Sequence, residues 1–140
     1  MIAMILVIED NEADIMMLEM GLEQAGESTR LESITDGNEA LDFADKPLDN
    51  PPLLILLDLN LGNVYGIAVL ARLRRNKCLN SVPVVVLSST RLPKDRESAM
   101  ELGAKDFWLK PSTLDGWGDL GKKISALLKP EKKPTSKQPE

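Results

Sequence analysis

Residues 53–62 read LLILLDLNLG, five apolar side chains running without a break into Asp58. Neither helical spacing nor alternation is visible in residues 53–57. A short continuous apolar run of this kind suits a strand buried on both faces of a parallel sheet. An ionised carboxylate at the end of such a strand is costly unless something pairs with it. Taken alone, Asp58 is simply the first polar residue of a loop. The chain repeats the pattern, however, because Ile5, Leu6, Val7 and Ile8 run into Glu9 and Asp10. Two such strands side by side put three carboxylates at one sheet edge. Their repulsion raises their pKa values unless a cation sits among them.

The composition narrows the chemistry. A chain of 140 residues suits one domain with one good core. A net charge of −5 argues against a general nucleic-acid binder. The single cysteine, Cys78, allows no intrachain disulfide, which fits a reducing cytoplasm. Histidine is absent. That removes Ser-His-Asp and Cys-His catalysis and the commonest zinc ligands. Metal chemistry must then be oxygen-based, which favours Mg²⁺, Mn²⁺ or Ca²⁺. No signal or membrane segment is expected, since the apolar start lacks a basic leader and ends in acids.

Taken in order, the chain alternates strands and helices. Residues 4–8 form a strand, Asp10-Asn11 supplies a helix cap, and residues 12–24 form a helix with Ile15, Leu18, Leu22 and Ala25 inward. A strand over 29–34, a turn at Asp36-Gly37 and a helix over 38–44 follow. Residues 46–52, with three prolines, are a loop. The third strand is 53–57. A helix over 67–76 carries Val69, Leu70 and Leu73 inward and Arg72, Arg74 and Arg75 outward. The fourth strand spans 82–87, with Pro83 where a ladder donor is expendable. A helix over 93–102 starts at Pro93 and stops at Gly103. The fifth strand, 105–109, leads into Lys110-Pro111. The last helix, 114–128, has Trp117, Leu120, Ile124 and Leu127 on one stripe, and glycines 116, 118 and 121 that should leave its start easily rearranged. Residues 129–140, with three prolines and no large apolar side chain, read as a disordered polar tail after a domain over 1–128.

This alternation predicts a doubly wound α/β fold, whose ligands bind beyond the carboxyl ends of the strands. The polar residues at those ends are Glu9, Asp10, Asp58, Ser88, Ser89 and Lys110. Three acids hold a hard divalent cation, directly or through water. Lys110 is a point charge suited to a phosphoryl oxygen, and Ser88 offers a hydroxyl to the same group. A metal and a lysine facing one carboxylate meet the main demand of phosphoryl transfer, charge stabilisation. Asp58 is the best-placed nucleophile, forming an aspartyl phosphate. Each residue alone has an ordinary explanation; their combination at four strand ends carries the reading.

Over about residues 4–128 the chain resembles the receiver domain of the two-component response-regulator family. The motifs are VIEDN at the first strand end, LLDLNL at the third, VVVLSS at the fourth and FWLKPS at the fifth. Ser88 lies 30 residues and Lys110 52 residues beyond Asp58, offsets similar to the family's. The resemblance implies a flavodoxin-like (βα)5 fold with a five-stranded parallel sheet in the order 2-1-3-4-5. It implies Asp58 as phosphoacceptor and a Mg²⁺ (or Mn²⁺) site at Glu9, Asp10 and Asp58 with the Asn60 backbone carbonyl. It further implies Ser88 as switch hydroxyl, Lys110 as phosphoryl partner before a cis Lys110-Pro111 bond, and Phe107 as an aromatic that turns from exposed to buried. EDNEAD, EALDF and VPVVVLSST resemble the small stand-alone regulators of phytochrome-type histidine kinases. The loop after Asp58 departs from the family: it lacks a proline and an acidic-Gly pair, reading Gly62-Asn63-Val64-Tyr65-Gly66.

The expectation is therefore a cytoplasmic phosphoacceptor, not an enzyme, supplied by a sensor histidine kinase and signalling by protein contact, with no nucleic-acid or membrane partner. Phosphorylation is expected to promote homodimerisation through the 93–128 face, with Leu120 and Ile124 in the contact. The rival readings are a receiver-like adaptor acting unphosphorylated, a Mg²⁺-dependent aspartate-nucleophile phosphohydrolase, and a flavin or nucleotide module. Asn60 stands where the hydrolase wants a general acid. No glycine-rich phosphate loop supports the nucleotide module.

Overall fold

The fold is a computed structural model that describes residues 3–129; the expected tail lies outside them from residue 130 onward. Twelve elements follow one another: β1 (Met4–Ile8), α1 (Glu12–Gln24), β2 (Arg30–Ile34), α2 (Gly37–Asp45), β3 (Leu54–Leu57), β4 (Asn60–Leu61), β5 (Val64–Tyr65), α3 (Gly66–Arg75), β6 (Val84–Ser88), α4 (Pro93–Glu101), β7 (Asp106–Leu109) and α5 (Leu114–Leu128). Five parallel strands form one sheet in the order β2-β1-β3-β6-β7. With the short β4-β5 hairpin set aside, this is the expected 2-1-3-4-5 arrangement. Right-handed crossovers place helices on both faces of such a sheet.

The apolar strands serve two cores at once. Leu6, Ile8, Ile55, Leu57, Val84 and Val86 pack with residues of α2, α3 and α4, among them Ala40, Leu70, Leu73 and Ala99. Their neighbours Ile5, Val7, Leu54, Leu56, Val85 and Leu87 pack instead with Leu18 and Leu22 of α1 and Trp117, Leu120 and Ile124 of α5. Successive strand residues point to opposite faces. A strand covered on both faces therefore needs an apolar residue at every position, which is why 53–57 shows no alternation.

Several details differ from the sequence expectations. The helix over 66–75 does not turn Arg74 outward. Its guanidinium folds back onto the following segment and donates to the carbonyls of Asn80 (3.1 Å) and Val82 (2.6 Å). Burial lowers its pKa. The loop after Asp58 contains an antiparallel hairpin, Asn60–Leu61 against Val64–Tyr65, turned at Gly62 with φ +73°. Asp36 caps α2 by accepting from the Glu39 amide at 3.0 Å, so it begins a helix rather than a free turn.

The glycines of α5 also have another role than loosening its start. A Cβ built on Gly121 would lie 2.0 Å from the Gly21 carbonyl oxygen, and one on Gly21 would lie 2.2 Å from the Trp117 carbonyl oxygen. The backbones of α1 and α5 thus meet with no side chain between them. Leu120 is 5% exposed and Ile124 fully buried against α1. Both belong to the core, with Leu120 alone reaching the wall of the cavity between α4 and α5.

Candidate functional site

Parallel pairing delivers the polar strand ends to one edge. The Asp58 amide donates to the Ile8 carbonyl at 2.9 Å, fixing the exit of β3 beside that of β1. The Lys110 amide donates to the Ser88 carbonyl at 2.8 Å, fixing the exit of β7 beside that of β6. Asp58 is 5% exposed, Glu9 3% and Ser88 3%, whereas Asp10 and Asn60 are exposed. The Asn60 amide donates to Asp58 Oδ1 at 3.2 Å, and the Asn11 amide to Glu9 Oε1 at 3.1 Å. Local turns thus hold both buried carboxylates, while the Asn11 side chain caps α1.

One oxygen each from Glu9, Asp10 and Asp58 lies within 4.8 Å of the other two. Oxygens around one octahedral Mg²⁺ lie about 2 Å from the ion and so at most about 4 Å apart. The three acids are close enough together to share one hard cation, directly or through water, and their all-oxygen donors match the expected ions. Mg²⁺ or Mn²⁺ would be held by Glu9, Asp10 and Asp58.

Lys110 is the cation of the site. Its Nζ lies 2.8 Å from Glu9 Oε2, 2.8 Å from Asp14 Oδ2 and 3.2 Å from Asp58 Oδ2. Burial pulls its pKa down, but the hydrogen bonds to Asp14 and Glu9 and the Asp58 charge outweigh this and hold it above the ordinary lysine range. Burial pushes the Glu9 carboxyl up to about 7, the Lys110 hydrogen bond opposing this and the Asp58 charge adding to it. Nothing in the sequence distinguishes Asp14 as a site residue. Its acid sits inside the first turn of a helix, where acidic residues are ordinary. Only the packing of α1 against the end of β7 brings it to a lysine 96 residues away.

Two expectations are corrected. Among the described residues no peptide bond is cis, so Lys110-Pro111 is trans, the isomer favoured by about 0.5–1 kcal/mol in the absence of other constraints. Phe107 is already buried, 8% exposed within the core beneath α4, and its carbonyl accepts from Arg96 at 3.2 Å. A phenyl ring has no hydroxyl to keep in water, so burial is its preferred state without any signal. Ser88 Oγ accepts from the Thr90 amide at 3.2 Å.

A doubly wound sheet with a metal-compatible acidic cluster and a lysine at its carboxyl edge places the chain among the α/β proteins whose ligands bind beyond the strand ends. The chain belongs to the response regulator receiver domain family, whose model matches residues 5–117. It is 32% identical over 114 residues to the probable methanogenesis regulatory protein FilR2 of Methanothrix harundinacea, spanning 79% of this chain and 74% of that one. It spans about half the length of some longer transcriptional regulators that it also matches. The phosphorylated cyanobacterial phytochrome response regulator RcpA superposes with a TM-score of 0.81 at 29% identity, over 91% of this chain and 94% of that one. The Mn²⁺-bound response regulator Rcp1 does so with a TM-score of 0.77 at 30% identity, over 89% and 92%. The matching fold is the expected flavodoxin-like one. Among the described residues no helix is long and apolar enough to cross a membrane.

Proposed function

We propose that this protein accepts a phosphoryl group on Asp58 from the phosphohistidine of a partner sensor kinase, in the cytoplasm. The observation that carries this reading is the direct approach of Lys110 Nζ to the buried Asp58 at 3.2 Å, beside the acids Glu9 and Asp10. An Asp58 oxygen attacks phosphorus as the P–N bond to the donor imidazole breaks, leaving a mixed anhydride on Asp58. Lys110 donates to a phosphoryl oxygen, and the Ser88 hydroxyl, whose oxygen accepts from the Thr90 amide, donates its proton to another. A bound Mg²⁺ or Mn²⁺, with the Asn60 carbonyl as a further ligand, would neutralise charge on the transferring group. Because Phe107 is buried from the outset, Ser88 and Lys110 are the side chains that move.

The resemblance to RcpA supports a phytochrome-type kinase as the donor. Output goes through protein contact. A cavity of about 940 Å³ lies over β7 between α4 and α5, bordered by Leu92, Phe107, Trp108 and Leu109. Leu92, Leu109 and Leu114 are exposed at this face, which spans 93–128 and the residues just before it. They replace Leu120 and Ile124 as the apolar contacts of a phosphorylation-promoted homodimer. Sedimentation with and without beryllofluoride tests the dimer; equal mass in both samples refutes it. The acceptor reading is tested by phosphate-affinity gel mobility after acetyl phosphate and Mg²⁺. A shifted band is expected in the wild type and none in Asp58→Asn; no shift in the wild type, or an equal shift in both, refutes it.

A further inference from the structure

A lysine ammonium has three N–H donors. In this structure three carboxylates surround it, and Asp14 differs in kind from the other two. Glu9 and Asp58 belong to the acidic cluster that fits a cation; Asp14 does not. It lies within the first turn of α1, with its side chain 25% exposed, and reaches Lys110 Nζ at 2.8 Å, closer than Asp58 does. We infer that Asp14 is a positioning residue. It holds Lys110 in its resting place and competes with the phosphoryl group for it, so that it sets how strongly the phosphorylated state is favoured.

The inference deepens the phosphoacceptor reading and rests on it. With Lys110 donating to Asp14 and Asp58 and lying 2.8 Å from Glu9, a new bond to a phosphoryl oxygen competes with these contacts. A cation held by Glu9, Asp10 and Asp58 would neutralise charge on Glu9 and Asp58 and weaken their hold on the ammonium. Asp14 stands outside that cluster, so its charge is not neutralised and its pull persists. It is therefore the contact that opposes transfer of Lys110 to the phosphoryl group. Replacing the carboxylate by an amide of the same shape leaves a weaker acceptor, and the lysine becomes available.

Beryllofluoride titration of the full chain in saturating Mg²⁺, followed by tryptophan fluorescence, reads this directly. Asp14→Asn is expected to bind about tenfold more tightly than wild type, the effect of one hydrogen bond to a charged group. Tightening is informative because damage to packing would weaken binding. Glu12→Gln removes the same charge from the same turn at an exposed position with no ion pair among the described residues. It should stay near wild type. Equal affinity of Asp14→Asn and wild type, or equal tightening by Glu12→Gln, overturns the role given to Asp14. Failure of the wild type itself to bind beryllofluoride overturns the phosphoacceptor reading and this inference with it.

Discussion

The burial of Glu9 makes a quantitative demand on stability. Its carboxyl is raised from an ordinary 4.5 to about 7, first by burial and further by the Asp58 charge, with Lys110 opposing. A raised carboxyl means that the folded state holds its proton more tightly than the unfolded state. The associated stability is full below the unfolded value and is lost as pH rises through the folded one. The window is therefore from about pH 4.5 to about pH 7. A shift of this size corresponds to about 3 kcal/mol, a large share of the roughly 5–15 kcal/mol that holds a domain together. For a chain of this length it amounts to a fall in Tm of about 10 °C. The assay is thermal unfolding in EDTA across this window, comparing wild type with Glu9→Gln. The wild type should lose stability relative to the mutant as pH rises. Glu27, held low by hydrogen bonds from Thr29 and Ser125, acts below this window and is common to both proteins. Adding Mg²⁺ at the upper end should stabilise wild type more than Glu9→Gln, because the cation offsets the buried charge. If the Tm difference between the two proteins is flat with pH in EDTA, the burial argument for Glu9 fails.

Four further substitutions have outcomes set by the geometry. Gly121→Ala should lose about 2 kcal/mol or more through the 2.0 Å clash with the Gly21 carbonyl, even after the helix-propensity gain. Gly118→Ala meets only the flexible end of Gln24 and should be neutral or gain up to about 1 kcal/mol, so urea unfolding should give opposite signs three residues apart. Asp10→Asn should weaken Mg²⁺ binding while stabilising the metal-free protein slightly, as seen by tryptophan fluorescence and thermal unfolding; unchanged Mg²⁺ affinity removes Asp10 from the metal site. Lys110→Ala should still take up phosphoryl from acetyl phosphate but fail to alter partner binding on phosphorylation, and wild-type coupling in that mutant would refute its part in the switch.

The strand-end residues were legible in the sequence because their signal is local. A run that is apolar at every position can be a doubly covered strand, and the residue after it must lie at the sheet edge. Glu9, Asp58 and Ser88 are marked this way and Lys110 by the end of a more mixed strand, and the alternation of strands with helices is enough to predict the sheet. The order in which strands pair and the contacts made across the sheet are not local. Asp14 looks like an ordinary first-turn acid until α1 packs beside the end of β7. Glycines 21 and 121 look like helix weaknesses until two backbones meet. Arg74 looks solvated until the chain after α3 turns back and offers its carbonyls. Phe107 and Trp108, adjacent in sequence, enter different cores because strand side chains alternate. The sequence by itself determined which chemical groups stand at the strand ends. Only the tertiary structure decided which of them touch, because those contacts join residues as far apart as Glu9 and Lys110 through packing that no short stretch encodes.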